Sequence, residues 1–354
     1  MIQSITLLRG VAALLVVIYH ACEYTRTHGF PELSNMFRFG AFGVDIFFII
    51  SGYVMMLSIE KSKGRHAAHT AIDFFIRRII RIAPIYWIGT ITLYLIYVIQ
   101  PEKFHQFSAT PDQFIRSILF LPIKTSTSTI NPILSQGWTL YHELFFYFVL
   151  FFLIIVRSKI NIKYAAPAAI IIICATLNTL MTETKIEWIE LISSPMNMEF
   201  AFGCMLFNAS NKITNRNNII IPIALFSIAA TIILLNPDQS AHKGFERVIY
   251  WGIPATLIFA AAIAKNSTHK YETLFCKYAG DPSYSIYIFH GLAFSATDLV
   301  LNKMHLKGEL SAGAMIILMT VGATLSGNVI NRLIERPLTQ KANALWSTWS
   351  KTIQ

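Results

Sequence analysis

The chain has 354 residues; 54% are hydrophobic, only 14% are charged, and 29 Lys+Arg stand against 19 Asp+Glu. A soluble domain carries about 25% charge, so this composition argues against a soluble globular enzyme and against a disordered protein. The formal net charge of +10 reads as basic residues gathered in the cytoplasmic loops of a membrane protein, with no nucleic acid among its partners.

A helix needs about 20 mostly apolar residues to cross the hydrocarbon core. In chain order the candidate spans are Ile5–Glu23, Ala41–Ile59, Ile82–Ile99, Gly137–Val156, Tyr164–Leu180, Ser194–Ala209, Ile219–Leu235, Val248–Ala264, Ser283–Leu301 and Ser311–Asn331. The first follows only a few uncharged residues and lacks a small-residue cleavage site, so it reads as a retained helix. Alternation at strand length is absent, and backbone groups in lipid must be paired internally, so helices are expected throughout. The expected fold is therefore all-α: a polytopic membrane protein of about ten transmembrane helices, forming one integral-membrane domain over residues 1–354. Ten crossings leave both termini on one side. With the N-terminus inside, 19 of the 29 basic residues fall on the cytoplasmic side, so both termini are expected there. The long outer connection Gln100–Gln136 has the length of a lid or binding element, with a flexible connector as the alternative. Pro337, after Glu335 and Arg336, is expected to stop the last helix. The four cysteines show no CxxC and no metal spacing, so no metal site is expected.

Ionisable residues within spans cost a few kcal/mol unless they face a cavity or a partner. Arg9 and His20 lie eleven positions apart on the first span, close to three full turns, and so share one face about 16 Å apart. Asp45 lies about one turn into the second span and Glu143 about two turns into the fourth. By the crossing count, His20, Asp45 and Glu143 fall at similar depth in the outer half. A histidine beside carboxylates can take the proton of a hydroxyl. A polar cluster that only fixes helix packing has the same composition, as does a proton relay. Arg78 and Arg81 share a helical face before the third span and suit phosphate oxygens. By composition alone, ordinary positive-inside anchoring with an aromatic belt explains them better. In the ninth span Tyr284, Tyr287 and His290 recur every three residues as a polar stripe that starts at the cytoplasmic end.

These pieces together resemble acyltransferase family 3, the bacterial membrane O-acyltransferases. The resemblance is carried by Arg9-x10-His20; by Gly40 to Tyr53 around Gly43 and Asp45; by Arg78-Ile79-Ile80-Arg81 with Pro84, Tyr86 and Trp87; by Gly137-Trp138 through Glu143; by Gly280 to His290; and by Glu335-Arg336-Pro337. They occur in family order over nearly the whole chain. The chain looks most like the stand-alone exopolysaccharide acetyltransferases of the succinoglycan type.

The resemblance implies a multi-pass protein of the bacterial inner (cytoplasmic) membrane. It would move an acetyl group from cytoplasmic acetyl-CoA, a donor substrate and not a tightly bound cofactor, to a hydroxyl of a surface glycan or lipid-linked oligosaccharide. The acceptor classes are exopolysaccharide, capsule and lipopolysaccharide O-antigen. His20 would be the essential histidine and Arg9 its paired basic residue. Asp45 or Glu143 would orient the imidazole, and Trp138 would meet the substrate. Arg78 and Arg81 would handle CoA, with Tyr284 and His290 on the donor's path. Many relatives carry a fused SGNH domain, and none is expected here. The chain then either finishes the transfer itself or uses a separate SGNH-type or polysaccharide-assembly partner. A proton-coupled transporter or flippase of a lipid-linked glycan, and a non-catalytic scaffold, are the rival readings of the same buried charges.

Overall fold

A computed structural model describes residues 2–26, 37–62, 64, 66–103, 109–123, 131–180, 186–214, 220–234, 244–264, 270–306 and 310–352. Its regular elements are all helical. Among the described residues eight helices are long and apolar enough to cross a membrane: Gln3–Arg26, Arg38–Glu60, Ala67–Ile99, Ser135–Ile155, Ile162–Leu180, Gly244–Ala264, Ser283–Lys303 and Ala312–Ser350. The chain is thus an all-α, polytopic membrane protein. The sixth and seventh expected spans are also helical, over Met198–Thr214 and Ile220–Leu234. They are shorter than the rest, and the former carries Glu199 in its first turn. The ends Ile219 and Leu235 lie outside the described residues.

The helices fall into two compact units, residues 1–57 with 198–331, and residues 58–197 with 332–354. In the first unit, α1 (Ile2–Arg26) is buried on two faces. Ile5, Leu8 and Ala12 pack with Ile46, Ile49 and Tyr53 of α2 (Gly43–Glu60) and with Trp251 and Phe259. Ala13, Val17 and Ala21 pack on Ile286, Ala293 and Phe294 and on Met315 and Met319. A helix apolar on nearly all sides is one that is enclosed by others.

Small residues let these helices approach backbone to backbone, since lipid supplies no hydrophobic drive for their association. A Cβ at Gly10 would stand 2.8 Å from the Gly280 nitrogen, and one at Gly280 would overlap the Thr6 carbonyl oxygen. Gly52 on α2 and Gly203 on α8 (Met198–Thr214) make the same kind of crossing: a Cβ at either would overlap a carbonyl oxygen of the other helix. The remaining elements of this unit are α9 (Ile220–Leu234), α10 (Gly244–Arg247), α11 (Ile253–Ala264), α12 (Lys270–Phe275), α13 (Ser283–Lys303) and α14 (Ala312–Ile330). One π-helical turn, Val248–Gly252, joins α10 to α11, and another, Cys276–Gly280, leads into α13. Such turns shift the face a helix presents.

The second unit holds α3 (Ala67–Ile99), α4 (Pro111–Ile118), α5 (Trp138–Ile155), α6 (Ile162–Leu180), α7 (Glu187–Ser193) and α15 (Arg336–Thr352). Two expectations need correction here. Helix α3 begins at Ala67, not at Ile82, so the helical face shared by Arg78 and Arg81 belongs to the same long helix as the expected span. Their neighbours Phe74, Phe75, Ile79 and Ile80 continue the helical apolar face, and two arginines have high helix propensity. Pro337 does not stop the last helix: a π-helical turn over Asn331–Glu335 leads from α14 into α15. The proline falls in the first turn of α15, where its missing N–H and fixed φ are tolerated. Residues of α15 then grip α3 through polar contacts: Trp346 Nε1 donates to Asp73 Oδ1 at 2.8 Å, and Arg77 bonds Asp73 at 2.8 Å and Asn343 at 3.4 Å.

The connection between α3 and α5 carries a short helix in its described part. Thr110 and Gln113 form a capping box at the start of α4, with Pro111 at its first position. Trp87 Nε1 donates to the Ile118 carbonyl at 2.8 Å, tying α4 to α3. Residues 104–108 and 124–130 of that connection lie outside the described residues.

Replacing Gly203 by Leu should force α2 and α8 apart. We expect a loss of about 1–3 kcal/mol or more, read as a lowered thermal midpoint of the detergent-solubilised protein. An unchanged midpoint would mean that the crossing is not a close one.

Candidate functional site

Two helices of the first unit bring two histidines together. Gly10 and Gly280 mark where α1 meets the turn leading into α13. Ten residues beyond Gly10 is His20; ten beyond Gly280 is His290. Their imidazole rings stand 4.8 Å apart between centroids, tilted by 37°. His20 Nδ1 lies 2.9 Å from the Val16 carbonyl oxygen, and His290 Nδ1 lies 2.7 Å from that of Tyr287. A carbonyl oxygen only accepts, so each Nδ1 carries the hydrogen and each neutral ring keeps its lone pair at Nε2. His290 is fully enclosed, and His20 is half-buried. Tyr19 packs edge-on against His20 with 4.8 Å between ring centroids. The carboxylate within electrostatic reach of His20 is Glu23, one turn on, which itself bonds Arg26 at 3.1 Å.

His290, expected along the polar stripe of the ninth span, stands beside His20. The other members of that stripe lie between Gly280 and His290 on α13: Tyr284 is half-buried, and Tyr287 is buried with its ring edge on Phe47 at 5.7 Å. Arg9 is half-buried on α1, next to the Gly10 crossing.

Asp45 has a different partner from the one expected. Arg247, the last residue of α10, forks onto it, Nε to Oδ1 at 3.0 Å and Nη2 to Oδ2 at 2.8 Å. Both side chains are almost completely buried, and the guanidinium also lies 4.6 Å from the centre of the Trp251 ring. Glu199 on α8 joins them. It is wholly buried, within electrostatic reach of Asp45 and Arg247, and packed against Gly252, where a Cβ would stand 3.1 Å from its Oε1. A bidentate arginine–carboxylate pair ties α2 to α10 in a medium where neither ion is stable alone. Sequence reasoning missed Arg247 and Glu199. Glu199 had the same signal as Asp45, an acid inside an apolar run. Arg247 directly precedes an expected span and passed for a loop cation.

In the second unit Arg78, Arg81 and Glu143 form one neighbourhood. Tyr147, one turn after Glu143 on α5, donates a short hydrogen bond to Glu143 Oε1. The Arg78 guanidinium lies over the Phe74 ring at 5.6 Å, and Phe74 in turn meets Tyr147 at 6.1 Å. Both Arg78 and Arg81 act electrostatically on Tyr147, and Arg78 also lies within reach of Glu143. Arg78 Nη2 donates to Ser58 Oγ at 3.2 Å, while its Nε is buried with no hydrogen-bond partner among the described residues. The arginines expected as donor ligands and the acid expected as catalytic are thus set together by the α3–α5 packing. Tyr147, at i+4 from Glu143, was legible by helical spacing and was overlooked.

Trp138 opens α5, half-buried, with its ring edge on His142 at 5.6 Å between centroids. His142 Nδ1 bonds Asn197 Oδ1 at 2.8 Å, and the Asn197 amide donates to the Leu191 carbonyl at 2.8 Å. That chain of bonds fixes α7 against α5. Gly137, directly before Trp138, leaves room for the Tyr86 ring, which a Cβ there would overlap.

A family model described as an acyltransferase domain matches residues 2–329. The exopolysaccharide production protein ExoZ of Rhizobium meliloti (strain 1021) is 25% identical over 341 residues, covering 93% of this chain and 96% of that protein. No solved structure matches the chain.

Arg247→Leu should leave Asp45 as an uncompensated buried charge. Breaking such a pair costs about 3–5 kcal/mol. We expect the single variant to lose most of its folded yield in membranes, and Asp45→Leu combined with Arg247→Leu to recover part of it. Equal yields for the single and the double variant would show that the pair is not coupled.

Proposed function

The chain belongs to the acyltransferase family whose domain model spans it, and from that premise we propose that it transfers an acetyl group from acetyl-CoA to a hydroxyl of a cell-surface glycan. The relative's role in exopolysaccharide production supports an exopolysaccharide as the acceptor. We set both termini on the cytoplasmic side of the bacterial inner membrane, from the bias of basic residues toward that side.

The tautomer of His20 carries this reading. Its Nδ1 hydrogen bonds the Val16 carbonyl, which orients the ring and leaves Nε2 as the atom to accept a proton. A fixed imidazole with its lone pair presented is a general base for a hydroxyl. As the acceptor's O–H bond breaks, its oxygen forms the ester bond to the acyl carbon, and the thioester C–S bond breaks toward sulfur. Arg78 supports the donor's place: a half-buried arginine whose Nε has no hydrogen-bond partner among the described residues, with Arg81 one turn on, suits the phosphates of CoA. Glu143, bonded to Tyr147, balances that charge and keeps the arginine pair in place when no phosphate is bound.

Two measurements test this reading. His20→Ala should remove the acetyl units from surface glycans, seen by mass spectrometry, while the protein accumulates normally in membranes. Wild-type acetylation in that variant would sink the assignment. Arg78→Lys with Arg81→Lys keeps the charge but loses the forked contacts. A rise in KM for acetyl-CoA of about tenfold is expected, equivalent to one lost charge-assisted bond of ~1.4 kcal/mol. An unchanged KM returns the two arginines to a structural role.

A further inference from the structure

The acyl-transfer reading uses one histidine, yet α1 and α13 bring two face to face. We propose that His290 is the second member of a proton-carrying pair: it receives from His20 the proton taken from the acceptor hydroxyl and returns it to the departing thiolate. The inference rests on the acyl-transfer reading and adds to it a residue that the chemistry of His20 alone does not require.

The argument is geometric. The ring centroids are 4.8 Å apart, which brings the imidazoles within direct or single-water reach of each other. Both rings are pinned in the same way, Nδ1 to a carbonyl of the helix turn before them. Two such bonds on two separate helices select one tautomer for each ring, with the lone pair at Nε2. A buried aromatic position with only a packing role has no need of a ring nitrogen. His290 is 1% exposed, a place where a polar ring is tolerated only when it is hydrogen-bonded. Its neighbours Tyr287 and Phe294, with ring centroids at 6.1 and 5.5 Å, would pack equally well on a phenylalanine.

The step balances without any other reactant. The hydroxyl proton goes to His20 Nε2 as the new C–O bond forms and the C–S bond breaks, leaving the electron pair on sulfur. The proton passes from His20 Nε2 to His290 Nε2, which restores the base. It then passes to sulfur, giving the free thiol and two neutral imidazoles. The pair carries at most one positive charge, since a second in the same buried place would be costlier still.

The test is His290→Asn, whose amide nitrogen can keep the bond to the Tyr287 carbonyl while no basic atom remains at the Nε2 position. With acetyl-CoA and isolated surface glycan as substrates, kcat should fall about 100-fold, the lower range for loss of a general acid–base group. KM for acetyl-CoA should stay within about twofold, and the protein should reach wild-type abundance in membranes. Wild-type kcat in His290→Asn, beside an active wild type, overturns the pair and leaves His20 as a lone base. A parallel loss of abundance or of donor binding also overturns it, because His290 is then a packing residue. If the wild-type protein itself transfers no acetyl group in this assay, the acyl-transfer reading fails instead, and the pair with it.

Discussion

An ion in hydrocarbon is costly unless it is paired, shared or neutral, and this constraint organises the protein. Each polar locus meets it differently. Asp45 and Arg247 meet it by a bidentate pair closed on both oxygens, with the Trp251 ring on the open face of the guanidinium. Glu143 takes the hydroxyl of Tyr147 beside the charge of Arg78. His20 and His290 meet it by bonding Nδ1 to a carbonyl oxygen within their own helices. The first solution is rigid and ties helices together. The last leaves a lone pair on each ring, which is what acid–base chemistry needs.

The same constraint explains why the glycines stand where they do. Helices in a bilayer gain little from burying apolar surface against one another, so close backbone approach and dispersion must hold them. Gly10 meets Gly280, and Gly52 meets Gly203. The first crossing has a chemical result. It sets α1 and α13 side by side in a register where equal lengths of helix lead to His20 and to His290. A crossing shifted by one residue would turn one histidine by about 100° out of the pair. The second crossing brings α8 against α2, and with it Glu199 toward Asp45. Packing residues and chemical residues are therefore parts of one arrangement, and the glycines of the Gly40–Tyr53 and Gly280–His290 segments act at a distance from the rings they place.

In the second unit the long helix α3 plays the organising part. It carries Asp73 and Arg77 to α15, Arg78 and Arg81 to the Glu143 neighbourhood, and Trp87 to α4. Successive turns of one helix thus serve the contact with α15, the Glu143 neighbourhood and the tie to α4. The arginines occur mid-helix because the apolar face of α3 runs unbroken past them, so a helix accommodates them without ending.

By itself the sequence determined that the chain is helical, crosses a membrane many times and hides ionisable residues inside. Those facts follow from composition and from runs of apolar residues, which are local properties. The family's motifs were legible for the same reason, since each is a short segment. Glu199 and Tyr147 were also within reach, as an acid in an apolar run and an i+4 neighbour of Glu143. The partners were not. Nothing local says that Asp45 meets Arg247 more than two hundred residues away, that Glu143 lies with the arginines of α3, or that His290 stands at His20. Depth counted along separate spans gives height in the membrane but no bearing around the helix axis. Pairing between helices depends on which faces meet and at what register, and here close-packed glycines and π-helical turns decide both.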